Sequence, residues 1–190
     1  RHAIDLLGGI GQVMGKRKKV MLKPNLVSHD PNATTKPAVI KALAELMIEA
    51  GREVSIGEGS AAAPGFNLDE EGIYRTSDPG ILDRMQQFVF DELGYTALAQ
   101  SLGIPLVNLH SGEMVEVNVP GAFVYDRITL HRSLADIDML CSVPMMKTHV
   151  LATVTLGMKN LIGLYPGKAY CSVRSCVHDE ASAKGSPGIA

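Results

Sequence analysis

Residues 19–57 read KVMLKPNLVSHDPNATTKPAVIKALAELMIEAGREVSIG. Val20-Met21-Leu22 is a short apolar run, and Lys23-Pro24-Asn25-Leu26-Val27 ends it as a strand. A polar loop follows, from Ser28 to Lys36. Pro37 suits the first turn of a helix, with Thr35 or Thr34 as its cap. The spacing of Val39, Leu43, Leu46 and Met47 predicts a helix to about Ala50 with those residues as its buried stripe. Gly51 stops it, and Glu53 to Gly57 is a second strand. Strand, helix and strand in 39 residues predict a parallel pair joined by a right-handed crossover.

The same logic extends outward. Ile4, Leu7, Ile10 and Val13 predict a helix over His2–Met14. Residues 66–90 are polar and form an excursion from the sheet, as a lid, an oligomer contact or surface decoration. Short helices are expected over Ile81–Phe90 and Asp91–Leu102, then a third strand over Pro105–Leu109. Met114–Val119 and Arg127–His131 alternate like antiparallel strands around Pro120-Gly121. Ser133 is placed as the cap of a short helix, and Met139–Val143 returns to the sheet. The expected architecture is a three-layer α/β domain over residues 1–190. It has a mainly parallel sheet, helices on both faces and some antiparallel strands at one side. Arg1 in place of Met points to a missing N-terminal piece.

A net charge of −2 and the lack of Trp argue against a nucleic-acid partner. No apolar run reaches the length of a membrane span. Three sparse cysteines, Cys141, Cys171 and Cys176, fit a reducing, cytoplasmic setting. The expected partner is a small molecule, with homo-oligomer formation open.

The chemistry concentrates in CSVPMMKTHVLATVTLGMKNLIGLYPG, residues 141–167. Pro144 closes a strand, and ligands of open α/β sheets bind where strands end. Lys147 and His149 are two positions apart and project to one side of an extended segment. If Thr155 caps the next helix, Lys159 falls near its positive end, which disfavours the ammonium. His149 is the candidate acid/base, Lys147 stabilises negative charge, and Lys159 anchors a cofactor or anion, with Asn160 beside it. Lys23 and Asn25 face the same cleft, and Glu58 and Ser60 border it. His178 is a candidate metal ligand, with Asp179 or Glu180 behind it. His110 and His131 sit at strand ends with no assigned partner. Gly57-Glu58-Gly59-Ser60-Ala61-Ala62 matches a dinucleotide fingerprint by letter, but it follows the second strand. A tight turn is the reading preferred.

Several blocks together resemble one family. They are Lys23 to Val27, Thr34 to Pro37, Val143 to His149, Gly157 to Gly163 and Pro166-Gly167. Their order is similar to that of the family known as domain of unknown function 362, from about residue 4 to 180. The resemblance implies a domain that continues further, with a ferredoxin-like iron–sulfur cluster module in some members. Thr34-Thr35-Lys36-Pro37 stands where that family usually has Thr-Thr-His-Pro. A more distant resemblance is to nickel-pincer lactate racemases. It implies that Lys159 would hold a pincer cofactor, His149 would move protons and His178 would bind nickel.

Overall fold

The computed structural model describes residues 1–122, 125–149, 153–174 and 177. Expectations placed on Cys176, His178, Asp179 and Glu180 lie outside the described residues. In chain order, helices α1 (His2–Asp5) and α2 (Gly9–Met14) lead into β1 (Lys19–Pro24), α3 (Pro37–Glu49) and β2 (Glu53–Glu58). A small pair, β3 (Leu68–Asp69) and β4 (Gly72–Ile73), precedes α4 (Pro79–Glu92), α5 (Tyr95–Leu102) and β5 (Leu106–Asn108). Next come β6 (Met114–Asn118), β7 (Arg127–His131), a 3-10 turn at Arg132–Leu134 and β8 (Met139–Val143). The chain then forms β9 (Lys147–His149), β10 (Thr153–Thr155), α6 (Gly157–Asn160), a second 3-10 turn at Leu161–Leu164 and α7 (Gly167–Tyr170).

The fold is α/β. Its main sheet has the order β5-β2-β1-β8, and every neighbouring pair in it is parallel. The chain moves outward from β1 to β2 to β5, then returns to the far side of β1 with β8. The direction of winding therefore reverses between β1 and β8, where open α/β sheets leave a crevice at their carboxyl ends. The antiparallel pair β6–β7 forms as the alternation predicts.

Alternation along the strands divides the sheet's faces. Val20, Leu22, Val54 and Ile56 enter one core with Ile40, Ala44 and Met47 of α3. Leu82, Met85, Val89 and Phe90 of α4 join the same core, so α4 is built into the fold. Residues 66–78 run outside the main sheet, held by Asn67, whose amide donates to the Ser172 hydroxyl at 3.0 Å. On the opposite face Met21 lies over Gly57, where a Cβ would stand 2.5 Å from its sulfur.

Local expectations shift in four places. Gly8, at φ 91°, splits the N-terminal helix into α1 and α2. The α3 stripe is Ile40, Ala44 and Met47, while Val39 is exposed. Apolar residues at 39, 40, 43, 46, 47 and 48 offer overlapping stripes, and packing against the sheet and α5 selects one. Asp78 caps α4 through the Ile81 amide at 2.9 Å, and the helix runs on to Glu92 before Gly94 breaks it. The 3-10 turn at 132 is capped by His131, whose Nδ1 accepts from the Ser133 amide.

Thr35 does not cap α3, whose first turn has no side-chain cap. Its hydroxyl instead donates to the Val143 carbonyl at 2.8 Å and accepts from the Asn25 amide at 2.9 Å. One buried hydroxyl thus clamps the ends of β1 and β8 at the crevice. Replacing Thr35 with Val keeps the shape but orphans a donor and an acceptor, each costing about 1–3 kcal/mol. The expected loss is roughly 2–4 kcal/mol, read as a lower urea midpoint at unchanged slope.

Candidate functional site

Lys23 ends β1 and Glu58 ends β2, and the two are almost wholly buried, at 1 % and 2 % exposure. The Lys23 ammonium reaches both Glu58 oxygens, at 2.7 and 2.8 Å, and the Pro24 carbonyl at 3.0 Å. Glu58 also accepts the Leu26 and Gly59 amides, at 2.9 and 2.8 Å. Every strong partner of this carboxylate is therefore already in place. Burial pulls the Lys23 ammonium below its usual range, and Glu58 pulls it back up.

Asn160 carries the pair to β8. Its amide nitrogen donates to the Lys23 carbonyl and the Ser142 hydroxyl, at 3.1 and 3.0 Å. Its oxygen accepts from Lys23 and Asn25, at 3.2 and 3.3 Å. Lys147 then donates to the Asn25 side-chain oxygen at 3.1 Å, and to the Ala33 carbonyl. Lys147 and His149 lie on β9, which pairs with β10 as a small hairpin. Thr155 does not cap α6, because its hydroxyl donates to the Met145 carbonyl at 2.9 Å, closing the hairpin's base.

These residues surround a cavity of about 420 Å³. Lys23, Asn25, Lys147, His149, Lys159 and Asn160 all line it, together with Glu58 and Arg174. Val27, Ile73, Ile162 and Val173 supply apolar wall. Lys159 is half-buried and has no hydrogen-bond or ion-pair partner among the described residues. Its ammonium is disfavoured by burial first, then by Arg174 and Lys147. The helix-dipole argument carries little here, since α6 is only four residues long. His149 is held below 6.5 by burial, then by Lys159 and Lys147. Burial also lowers Lys147, while Asp30 and Glu58 oppose the shift.

Sequence reasoning missed Arg174. It is 2 % exposed and adopts a left-handed backbone at φ 54°. Its guanidinium has five N–H donors, and they face carbonyls alone. Nε meets Tyr165 at 3.1 Å, and Nη1 meets Ser60 at 3.1 Å and Ser172 at 2.6 Å. Nη2 meets the carbonyls of Gly59 and Gly163. No carboxylate contacts it among the described residues, and burial draws its pKa down to about 10. A lone arginine among small polar residues leaves no periodic signal in the sequence.

The glycines explain how the parts come so close. A Cβ on Gly59 would stand 2.6 Å from Arg174 Nη2, and one on Gly163 would stand 2.7 Å from the Lys23 ammonium. Gly59 thus belongs to a packed turn with no helix behind it, consistent with the tight-turn reading. His110, fully buried, accepts the Gly167 amide on Nδ1 at 3.0 Å. Its Nε2 faces the Ser60 carbonyl at 2.6 Å, and burial holds the ring neutral.

No group of three His, Cys, Asp or Glu side chains suited to a metal occurs among the described residues. The cavity offers one imidazole and one fully engaged carboxylate amid four cationic side chains. That donor set does not fit a resident metal cation. The expected ligand His178 lies outside the described residues.

Removing Glu58 alone, as Glu58→Gln, leaves the buried Lys23 charge without its counter-ion. The expected cost is about 3–5 kcal/mol, measured by chemical denaturation. Lys23→Met combined with Glu58→Gln should recover part of it, giving a non-additive double-mutant cycle.

Against known proteins, the family model for "Domain of unknown function (DUF362)" matches residues 20–183. The "Thylakoid-associated protein sll1697" of Synechocystis sp. is 28% identical over 171 residues. That alignment covers 88% of this chain and 46% of the relative, so the chain spans about half the relative's length. No solved structure matches. No helix among the described residues is long and apolar enough to cross a membrane. The Lys23–Val27, Val143–His149 and Gly157–Gly163 blocks that build the cavity all lie within the matched residues, and the chain belongs to the DUF362 family.

Proposed function

We propose that the cavity binds a small carboxylate- or phosphate-bearing compound and that His149 moves a proton on it. The observation that carries this reading is the Lys159 ammonium, which lines the cavity and has no partner among the described residues. Lys147 and Arg174 add to it, because among the described residues both donate to neutral oxygens alone. Among the described residues, Lys23 alone of the four cations has a carboxylate against it. A half-buried charge without a counter-ion is unfavourable, and an incoming anion removes that penalty.

The division of labour follows from the donors left over. Lys159 offers three N–H groups and Lys147 one, so an anionic head group is held between them. Arg174 has no donor to spare and acts through its field alone. His149 is kept neutral near pH 7 by burial first and then by the neighbouring cations, which suits it to accept a proton. The apolar wall from Val27, Ile73 and Ile162 accommodates the rest of the compound. We place this chemistry in the cytoplasm, on the sparse cysteines and the unbridged, half-buried Cys141.

Sulfate serves as a probe because it does not titrate near neutral pH. At a hundredfold excess over its dissociation constant, binding adds about 2.7 kcal/mol of stability. That corresponds to a rise in melting temperature of roughly 5–10 °C for a chain this size. Lys159→Met should abolish the rise and also stabilise the unliganded protein, since it removes an uncompensated cation. An unchanged sulfate response in Lys159→Met sinks the reading.

The pH dependence has a definite sign. Bound anion raises the His149 pKa from its depressed value, so binding takes up a proton. Sulfate affinity is then highest below the free-state pKa, under 6.5, and falls as pH rises through the bound-state value. Calorimetric titrations across pH 5 to 8 should show that fall, and His149→Gln should flatten it.

A further inference from the structure

The cavity's amines are not equivalent, and the difference points to covalent chemistry. Lys23 is locked to Glu58 by two short contacts. Lys147 is tied to Asn25 and Ala33. Arg174 has its donors spread over backbone carbonyls. Lys159 alone among these lines the cavity with its nitrogen unengaged by any described residue. It stands near two other cations and against apolar wall, the setting in which a lysine amine becomes a nucleophile.

We propose that Lys159 condenses with the carbonyl of a small 2-oxo carboxylate to form an imine, the carboxylate resting on Lys147. This rests on the anion-binding reading above and adds a substrate class and a bond to it. The neutral Lys159 amine donates its lone pair to the carbonyl carbon, forming the C–N bond while the carbonyl oxygen takes a proton. His149, on the same cavity wall, relays protons from the nitrogen to that oxygen. The oxygen leaves as water carrying both hydrogens lost by the amine, and the C=N bond closes. No oxidant or reductant is required. A proton taken up from solvent converts this imine to an iminium, which withdraws electrons from the adjacent carbon and makes a proton on that carbon removable by a neutral imidazole.

The carbonyl compound's fit follows from the same inventory. Its carboxylate meets Lys147, its reacting carbon meets Lys159, and its substituent meets Ile162 and Ile73. A compound with a carboxylate but no carbonyl would occupy the cavity without bonding to it. An aldehyde without an acid group would lack the hold on Lys147.

The test is to incubate the full chain with pyruvate, reduce with sodium borohydride and map the adduct by peptide mass spectrometry. The expected result is one saturable adduct on Lys159, suppressed by sulfate. Lys159→Arg should lose the adduct, because it retains the charge but not the nucleophile. Lys147→Met should still form it but need at least tenfold more pyruvate. Labelling spread evenly over exposed Lys16, Lys18 and Lys41, or absent from Lys159, overturns the proposal. A sulfate response without labelling of Lys159 sinks the imine and leaves the anion site standing. No response to either compound sinks both.

Discussion

The structure turns on an almost wholly buried charge pair. Lys23 and Glu58 sit at the ends of adjacent parallel strands and are held at 2.7 Å. Neither side chain would be tolerable there alone, because desolvating one ion costs several kcal/mol. Their joint presence makes every further approach conditional on hydrogen bonding. The Leu26 and Gly59 amides, the Pro24 carbonyl and the Asn160 side chain meet that condition. The pair therefore recruits the loop after β1, the turn after β2 and α6 to one point. Stability alone is weak grounds for such a pair, since apolar packing could supply as much. Its position at the switch between β1 and β8 gives it a second use, as the floor of a polar hollow in an otherwise apolar sheet.

Close approach is what the glycines contribute. Gly163 lets the turn after α6 rest directly on the Lys23–Glu58 pair, and Gly59 lets Arg174 reach carbonyls on both sides. Gly167 sits against His110 in the same way, 2.5 Å from its Nδ1 if it bore a Cβ. The result is a late segment, residues 153 to 174, that packs against the rest at these glycines without side-chain room to spare. His110 and Arg174 are both buried and polar, and both are satisfied mainly by backbone atoms. Such groups discriminate sharply between one docking geometry and its neighbours, because any shift breaks several bonds together.

Much of the architecture was readable from periodicity and punctuation. Pro37 and Gly51 bracket a helix, Val20 to Leu22 and Glu53 to Gly57 are strands, and Pro120-Gly121 turns a hairpin. Boundaries failed where two signals overlapped. Leu93-Gly94, not Phe90, divides α4 from α5, because the apolar pattern runs unbroken across the expected junction. The α3 stripe is legible in part: Leu43 and Met47 face the core as expected, while Ile40 and Ala44 replace exposed Val39, because the helix is apolar on too many sides for its pattern to choose a face. At the cavity, Lys147, His149, Lys159, Asn160, Lys23 and Asn25 stood out by residue type and place, and they line one hollow. Arg174 did not stand out, because a cation solvated by backbone carbonyls needs no partner that a sequence pattern displays. Thr35 was assigned to helix capping since that is the usual use of such a residue before Pro37. Its role as a bridge depends on Val143, which is distant in sequence.

The span between Lys23 and Asn160 has a temporal side. These partners are 137 positions apart, so on a translating ribosome the first is made on the order of ten seconds before the second. During that interval β1 and β2 can pair, yet Asn160, the turn at Gly163 and Arg174 do not exist. The nascent half must keep its lysine and glutamate wetted, or satisfied by each other, until α6 emerges. Ring closure over such a length is entropically slow, which makes docking of the late segment the natural commitment step in maturation. A chain stalled earlier still, before β8 is made, would display an open sheet edge at β1, the kind of surface on which aggregation begins.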